Sequence, residues 1–148
     1  MITKTAQYAL RALVTIASDP DRNHGAQELA GRIHAPPNYM GKLLKLLADA
    51  GILTSTRGSG GGFRLARPAR EITLMDIVDP VDRVSRWSAC FLGLGDCNPE
   101  DPCPIHHLWK PIRERYIKLL ETSTLDCIPG SGQGLLNYEK LLSDEPAK

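Results

Sequence analysis

Residues 52–66 read ILTSTRGSGGGFRLA, two short strand-like runs on either side of Arg57-Gly-Ser-Gly-Gly-Gly62. Such runs flanking a glycine-rich tip predict a β-hairpin. Immediately upstream, Pro36-Pro37 breaks the chain and Pro37 suits a first helical position, where its missing N–H loses no bond. A helix is therefore predicted over about 37–50, ended by Gly51. Tyr39, Leu43, Leu46, Leu47 and Ala50 are expected to form its inner face. Residues 26–34 fit a short helix with Leu29, Ala30 and Ile33 inward, and residues 19–25 form a turn by composition. A first helix over about 4–18 is capped by Thr3, with Ala6, Ala9, Leu10, Leu13, Ile16 and Ala17 at three- and four-residue steps. Helix, helix, turn, helix and glycine-tipped hairpin is the order of a winged helix-turn-helix, which places one helix in the DNA major groove.

Downstream, Thr73 starts a short helix with Asp76 three residues on, a weak form of the capping box. Residues 88–103 form a cysteine-bearing loop. A long helix then fits about 105–122, striped by Leu108, Trp109, Ile112, Tyr116, Leu119 and Leu120. Pro111 lies inside that stripe and should kink the helix or delay its start. The last stretch, PGSGQG followed by LLNYEKLL, has the composition of a linker with a weakly held helical segment. The expected fold is mainly α with a small β-hairpin wing. Residues 1–80 would form the DNA-binding head, 81–104 the cysteine-rich loop, 105–128 a long dimerisation helix, and 129–148 a tail.

The chain has 148 residues, 42% apolar and 24% charged, ordinary values for a globular protein. No run of about eighteen apolar residues exists, so no membrane span is expected. Arg11 interrupts the apolar character of the first segment, which argues against a secretion signal and for a cytoplasmic protein. A net charge of +1 conceals an asymmetry: residues 1–70 carry ten Lys/Arg against four Asp/Glu, and residues 71–148 carry eight against thirteen. A basic half is expected if only that half meets a polyanion. Double-stranded DNA is the expected partner; a winged-helix protein-interaction module, using the acidic half, is the competing function class.

Within the predicted recognition helix, Asn38 can pair with adenine, while Lys42 and Lys45 suit phosphates or guanine. Arg57 stands at the mouth of a tip that is nearly free of side chains, where it can enter a narrow groove; Ser59 lies within the tip. The glycines are not followed by Lys-Ser/Thr and a helix, so a nucleotide-binding loop is not expected.

Cys90, Cys97, Cys103 and His106 fall within seventeen residues at spacing C-x6-C-x5-C-x2-H. The stretch between Gly93 and Pro104, GLGDCNPEDPCP, has too little apolar surface to offset its ordering entropy. Thiolates and an imidazole there point to a metal or cluster site. Zinc accepts the same donors but usually takes a tight C-x2-4-C pair. A cluster-free thiol–disulfide switch also fits. His107 should point away from the site, and Cys127 is expected to be a small buried residue. No third group orients a Cys–His pair for nucleophilic chemistry, so neither an enzyme nor a small-molecule substrate is expected.

The segments TKTAQYALRALVTIA (3–17), RGSGGGFRLARP (57–68), EITLMDIV (71–78) and CPIHHLW (103–109) together resemble the IscR/NsrR/RirA type of bacterial regulator, the Rrf-type winged-helix family. The resemblance covers about residues 1–128. It implies a homodimer whose long C-terminal helices cross, two heads on a roughly palindromic operator, and repression controlled by an iron–sulfur cluster sensing redox state, iron or nitric oxide. By the same resemblance Asn38, Tyr39 and Lys42 lie in the recognition helix, Arg57 is the wing arginine, and Lys4 and Arg11 meet the DNA backbone. Gly41 stands where IscR-like members carry a discriminating glutamate. Gln7 stands where nitric-oxide-sensing members supply a carboxylate to a [4Fe–4S] site. A Cys3His set holding [2Fe–2S] is therefore favoured, although the first cysteine gap is six residues where IscR has five.

Overall fold

In the computed structural model, residues 2–86, 90–93 and 95–128 are described. The Thr3 hydroxyl accepts a bond from the Ala6 amide at 3.3 Å and caps α1 (Lys4–Ala17). This helix is the hub of the head: Ala9, Ala12, Leu13 and Ile16 are fully buried against α2 (Ala26–Arg32), α3 (Pro37–Asp49) and the residues that follow them. Pro37 opens α3 as expected. The hairpin joins β1 (Leu53–Thr56) and β2 (Gly62–Leu65) antiparallel, with Leu53 opposite Leu65 and Thr56 opposite Gly62.

Two details at the hairpin go beyond the sequence reading. The 19–25 turn ends in a strand-like contact, His24 and Phe63 exchanging backbone hydrogen bonds of 3.0 Å each way. Gly62 makes this approach possible. Its φ is +149°, and a Cβ there would lie 2.7 Å from the His24 carbonyl oxygen. The Asn23 amide also donates to the Gly60 carbonyl at 2.9 Å, tying the tip to the turn.

The inner face of α3 differs from expectation. Leu43 and Leu47 are buried as predicted, but Met40 and Leu44 complete the face, while Tyr39, Leu46 and Ala50 are exposed. Four leucines within 43–47 allow two adjacent stripes, and docking on α2 selects between them.

Helix α4 (Leu74–Asp82) begins with a complete capping box: Asp76 N–H donates to Thr73 Oγ1 at 3.0 Å and Thr73 N–H to Asp76 Oδ2 at 2.9 Å. Helix α5 (His106–Thr122) starts ahead of Pro111, so the proline does not delay it. Of its predicted stripe only Leu120 is buried within the chain; Trp109 and Tyr116 are half-buried, and Leu108, Ile112 and Leu119 are exposed by 59%, 59% and 55%. After α5 the chain returns to the head. Leu74 N–H donates to Ser123 O and Leu125 N–H to Ile72 O, both at 2.8 Å, and the Leu125 side chain is fully buried in the main core. Cys127 is exposed rather than buried, because Leu125 fills the interior position of that short turn. The predicted tail after Ile128 lies outside the described residues. Among the described residues no helix is long and apolar enough to cross a membrane.

Candidate functional site

The helix-turn-helix and the wing present their basic residues outward. Asn38, Lys42 and Lys45 are exposed on α3, Lys4 at the start of α1, and Arg57 and Ser59 on the hairpin tip; Arg11 is half-buried on α1. Among the described residues Lys4, Lys42, Lys45 and Arg57 make no ion pair or hydrogen bond through their side chains. The other hairpin arginines are engaged: Arg64 donates to the Pro20 carbonyl at 3.3 Å, and Arg67 to Asp76 Oδ2 at 2.7 Å. Tyr39 is partly occupied as well. Its hydroxyl shares a short hydrogen bond with that of Thr5, and its ring meets Tyr8 edge-on at a centroid distance of 6.4 Å. Tyr39 thus ties the first turn of α3 to the first turn of α1, a contact no local pattern signals.

The second centre gathers all four predicted sulfur and nitrogen donors. Cys90 is buried in a turn built on Gly93 and Gly95, with φ of +73° and +93°, and its amide donates to the Gly95 carbonyl at 2.7 Å. Cys103 precedes α5, and its carbonyl accepts from the His106 amide at 2.9 Å. That bond brings His106, the first residue of the helix, beside the loop, and its Nδ1 lies 3.0 Å from Cys97 Sγ. Cys90, Cys97, Cys103 and His106 line one cavity of about 500 Å³ together with Asp96, Asn98 and Asp101. The Cys103 thiol is pushed above its ordinary pKa, first by hydrogen bonding with the Cys90 thiol and then by burial, against the Ile105 backbone amide, which lowers it. All four cysteines of the chain are free thiols. No three His, Cys, Asp or Glu side chains among the described residues form a group that could hold a single metal ion. His107 is exposed, as expected. The sequence did not signal the Asp96 and Asn98 lining, nor Phe91, whose ring lies 5.2 Å from that of Trp109 at the cavity's helix.

Residues 2–128 match the model of the Rrf2 family, described as an iron-dependent transcriptional regulator. Protein aau3 of Rhizobium meliloti is 31% identical over 126 residues, covering 84% of this chain and 82% of that protein. The HTH-type transcriptional regulator IscR of Vibrio campbellii is 30% identical over 125 residues, covering 84% and 74%. Among solved structures, CymR, the global cysteine regulator of B. subtilis, superposes with a TM-score of 0.72 at 22% identity, over 85% of this chain and 93% of that one. IscR of T. potens superposes with a TM-score of 0.68 at 21% identity, over 100% and 93%. These two share the fold, mainly helical with a two-stranded wing. The relatives named as regulators are not enzymes, in accord with the reading of the Cys–His arrangement as non-catalytic. The match of the family model over nearly the whole chain settles its place: the protein belongs to the Rrf2 family of transcriptional regulators.

Proposed function

We propose that the chain acts as a homodimeric repressor of transcription whose hold on a roughly palindromic DNA operator is set by an iron–sulfur centre at the cysteine segment. The observation that carries this reading is the convergence of Cys90, Cys97, Cys103 and His106 on one cavity, from a loop and from the start of α5. Three thiols and an imidazole are donors that iron–sulfur centres use. A lone zinc ion needs four donors meeting at about 2.0–2.3 Å from one point, and the described residues offer no such group. Cys90, Cys97, Cys103 and His106 line a cavity of about 500 Å³, room enough for a centre of several atoms. When bound, the group would supply sensitivity to oxidants, iron supply or nitric oxide. Cys90, Cys97, Cys103 and His106 would hold it, and a histidine donor with Gln7 in place of a carboxylate favours [2Fe–2S] over [4Fe–4S].

In the same reading residues 1–80 meet DNA. Asn38, Lys42 and Lys45 face the major groove from α3, and Arg57 with Ser59 reaches the neighbouring minor groove. Tyr39, Lys4 and Arg11 lie where the phosphate backbone would pass. Leu108, Ile112 and Leu119 are spaced to meet a second copy of α5 within the proposed dimerisation segment 105–128. Two heads reading successive major grooves must stand about 34 Å apart. The 81–104 segment can influence that spacing because it runs directly into α5.

A second reading, a cluster-free thiol switch, is favoured by three free thiols, Cys90, Cys97 and Cys103, lining one cavity. Oxidation of two of these thiols by hydrogen peroxide would form one disulfide, the two thiol protons and two electrons reducing the peroxide to two waters. The test is DNA binding by anaerobically isolated protein, using a duplex selected by that protein from a random library. Visible absorption should be present in the wild type and absent in Cys97→Ser, with a matching change in affinity. Colourless protein whose affinity responds only to peroxide would select the thiol switch. Arg57→Ala should weaken binding about tenfold or more; unchanged affinity would remove the wing from the interface.

A further inference from the structure

A second hydrophobic cluster joins parts of the chain far apart in sequence. Ala6 of α1, Val78 of α4, Val84 of the 84–86 turn and Leu120 of α5 are buried together. Val84 lies shortly before Cys90, so this cluster roots the cysteine segment at one end, and through Leu120 it also grips the helix that begins at His106. Beside it Asp82, the last residue of α4, holds the start of α1. The Thr3 amide donates to Asp82 Oδ2 at 2.9 Å and the Thr3 hydroxyl to Oδ1 at 2.5 Å. Helix α1 has no acidic residue in its first turn, so Asp82 supplies from α4 the negative charge that a helix N-terminus favours. That charge is felt on α5 too: burial first, and Asp82 second, raise the pKa of the Tyr116 hydroxyl. Past Asp82, Arg83 adopts a left-handed φ of +52° and turns the chain into 84–86. On the other side of Thr3, the Thr5 hydroxyl is bonded to that of Tyr39 on α3.

We propose that Asp82 is a positioning residue that couples the cysteine segment to the DNA-reading helix α3 by fixing the N-terminus of α1 through Thr3. The proposal rests on the reading of the cysteine segment as a sensor. A displacement at 84–86 reaches Asp82 across a single residue. Asp82 cannot move without breaking or dragging two charge-assisted hydrogen bonds, which are stronger than neutral ones. The first turn of α1 then carries Lys4 with it, and through Thr5 and Tyr39 it tilts the start of α3. A purely structural cap would lower stability alike in every state of the loop; a coupling residue changes how far the loop's state alters DNA affinity.

The experiment measures affinity for the selected duplex, under anaerobic conditions, of the wild type, Cys97→Ser, Asp82→Asn and the double variant, each with its thermal melt. Cys97→Ser is expected to change affinity tenfold or more in the wild-type background and less than twofold beside Asp82→Asn. Thr3→Ser, which keeps the hydroxyl, should retain the full response, and Thr3→Val, which keeps only the amide bond to Asp82, should reduce it to about threefold or less. That Thr3 pair decides the matter if Asp82→Asn does not fold. A tenfold response persisting with Asp82→Asn and Thr3→Val overturns the coupling while leaving the sensor intact. A wild-type background that ignores Cys97→Ser overturns the sensor reading, and the coupling with it.

Discussion

Gly41 and Gly62 impose opposite demands on the backbone. Gly62 sits at φ +149° with the His24 carbonyl oxygen 2.7 Å from where a Cβ would lie, so Gly62→Ala must push the wing off the turn. Stability should fall by about 1–3 kcal/mol, read by urea denaturation. Gly41 lies inside α3 with nothing within 4 Å of an added Cβ, so Gly41→Ala should raise stability by about 0.5–1 kcal/mol on the same assay. Some of this was legible in the sequence: a glycine-rich tip beside Arg57 marks a wing. Which arginines remain available was not. Arg64 and Arg67 have the same chemistry as Arg57, yet their partners, Pro20 and Asp76, are 44 and 9 residues away. Only the folded chain reveals such pairings. The gathering of Cys90, Cys97, Cys103 and His106 on one cavity was legible for the converse reason, since the four are close in sequence.

At the scale of elements, the order of helices and hairpin followed from apolar periodicity, Pro37 and the glycine tip. Helix faces were less legible. Leu43, Leu44, Leu46 and Leu47 permit more than one inward stripe, and tertiary docking makes Met40 and Leu44 core while leaving Leu46 39% exposed. The short segment after α5 carried no periodic signal, yet it anchors that helix to the head. Thr124 pairs with Thr73 at the capping box of α4, and Leu125 fills the core beside Ile72 and Ile77. Leu125→Ala should therefore cost about 2–5 kcal/mol, a large-to-small change at a fully buried site. A loss below about 1 kcal/mol in urea denaturation would mean that the segment is not part of the cooperative core.

For the whole molecule, basic residues 1–70 and acidic residues 71–148 separate in charge, as the proposed division into a DNA-reading half and a sensing half requires. Lys4, Lys42, Lys45 and Arg57 offer four cations per head to a duplex. Plotted as log affinity against log salt, binding should fall with a slope steeper than about −3 per head, and Arg57→Ala should reduce that slope by about 1. A nearly flat response would assign the basic half to a protein partner instead. The central claim concerns the acidic half, where three thiols and an imidazole converge on one cavity at the root of α5. Iron and acid-labile sulfide, counted per chain in protein isolated without oxygen, test it most directly. Near-equal, stoichiometric amounts of both, lost together in Cys97→Ser, are the predicted result. Stoichiometric zinc, or four metal-free thiols in the freshly isolated chain, would contradict it.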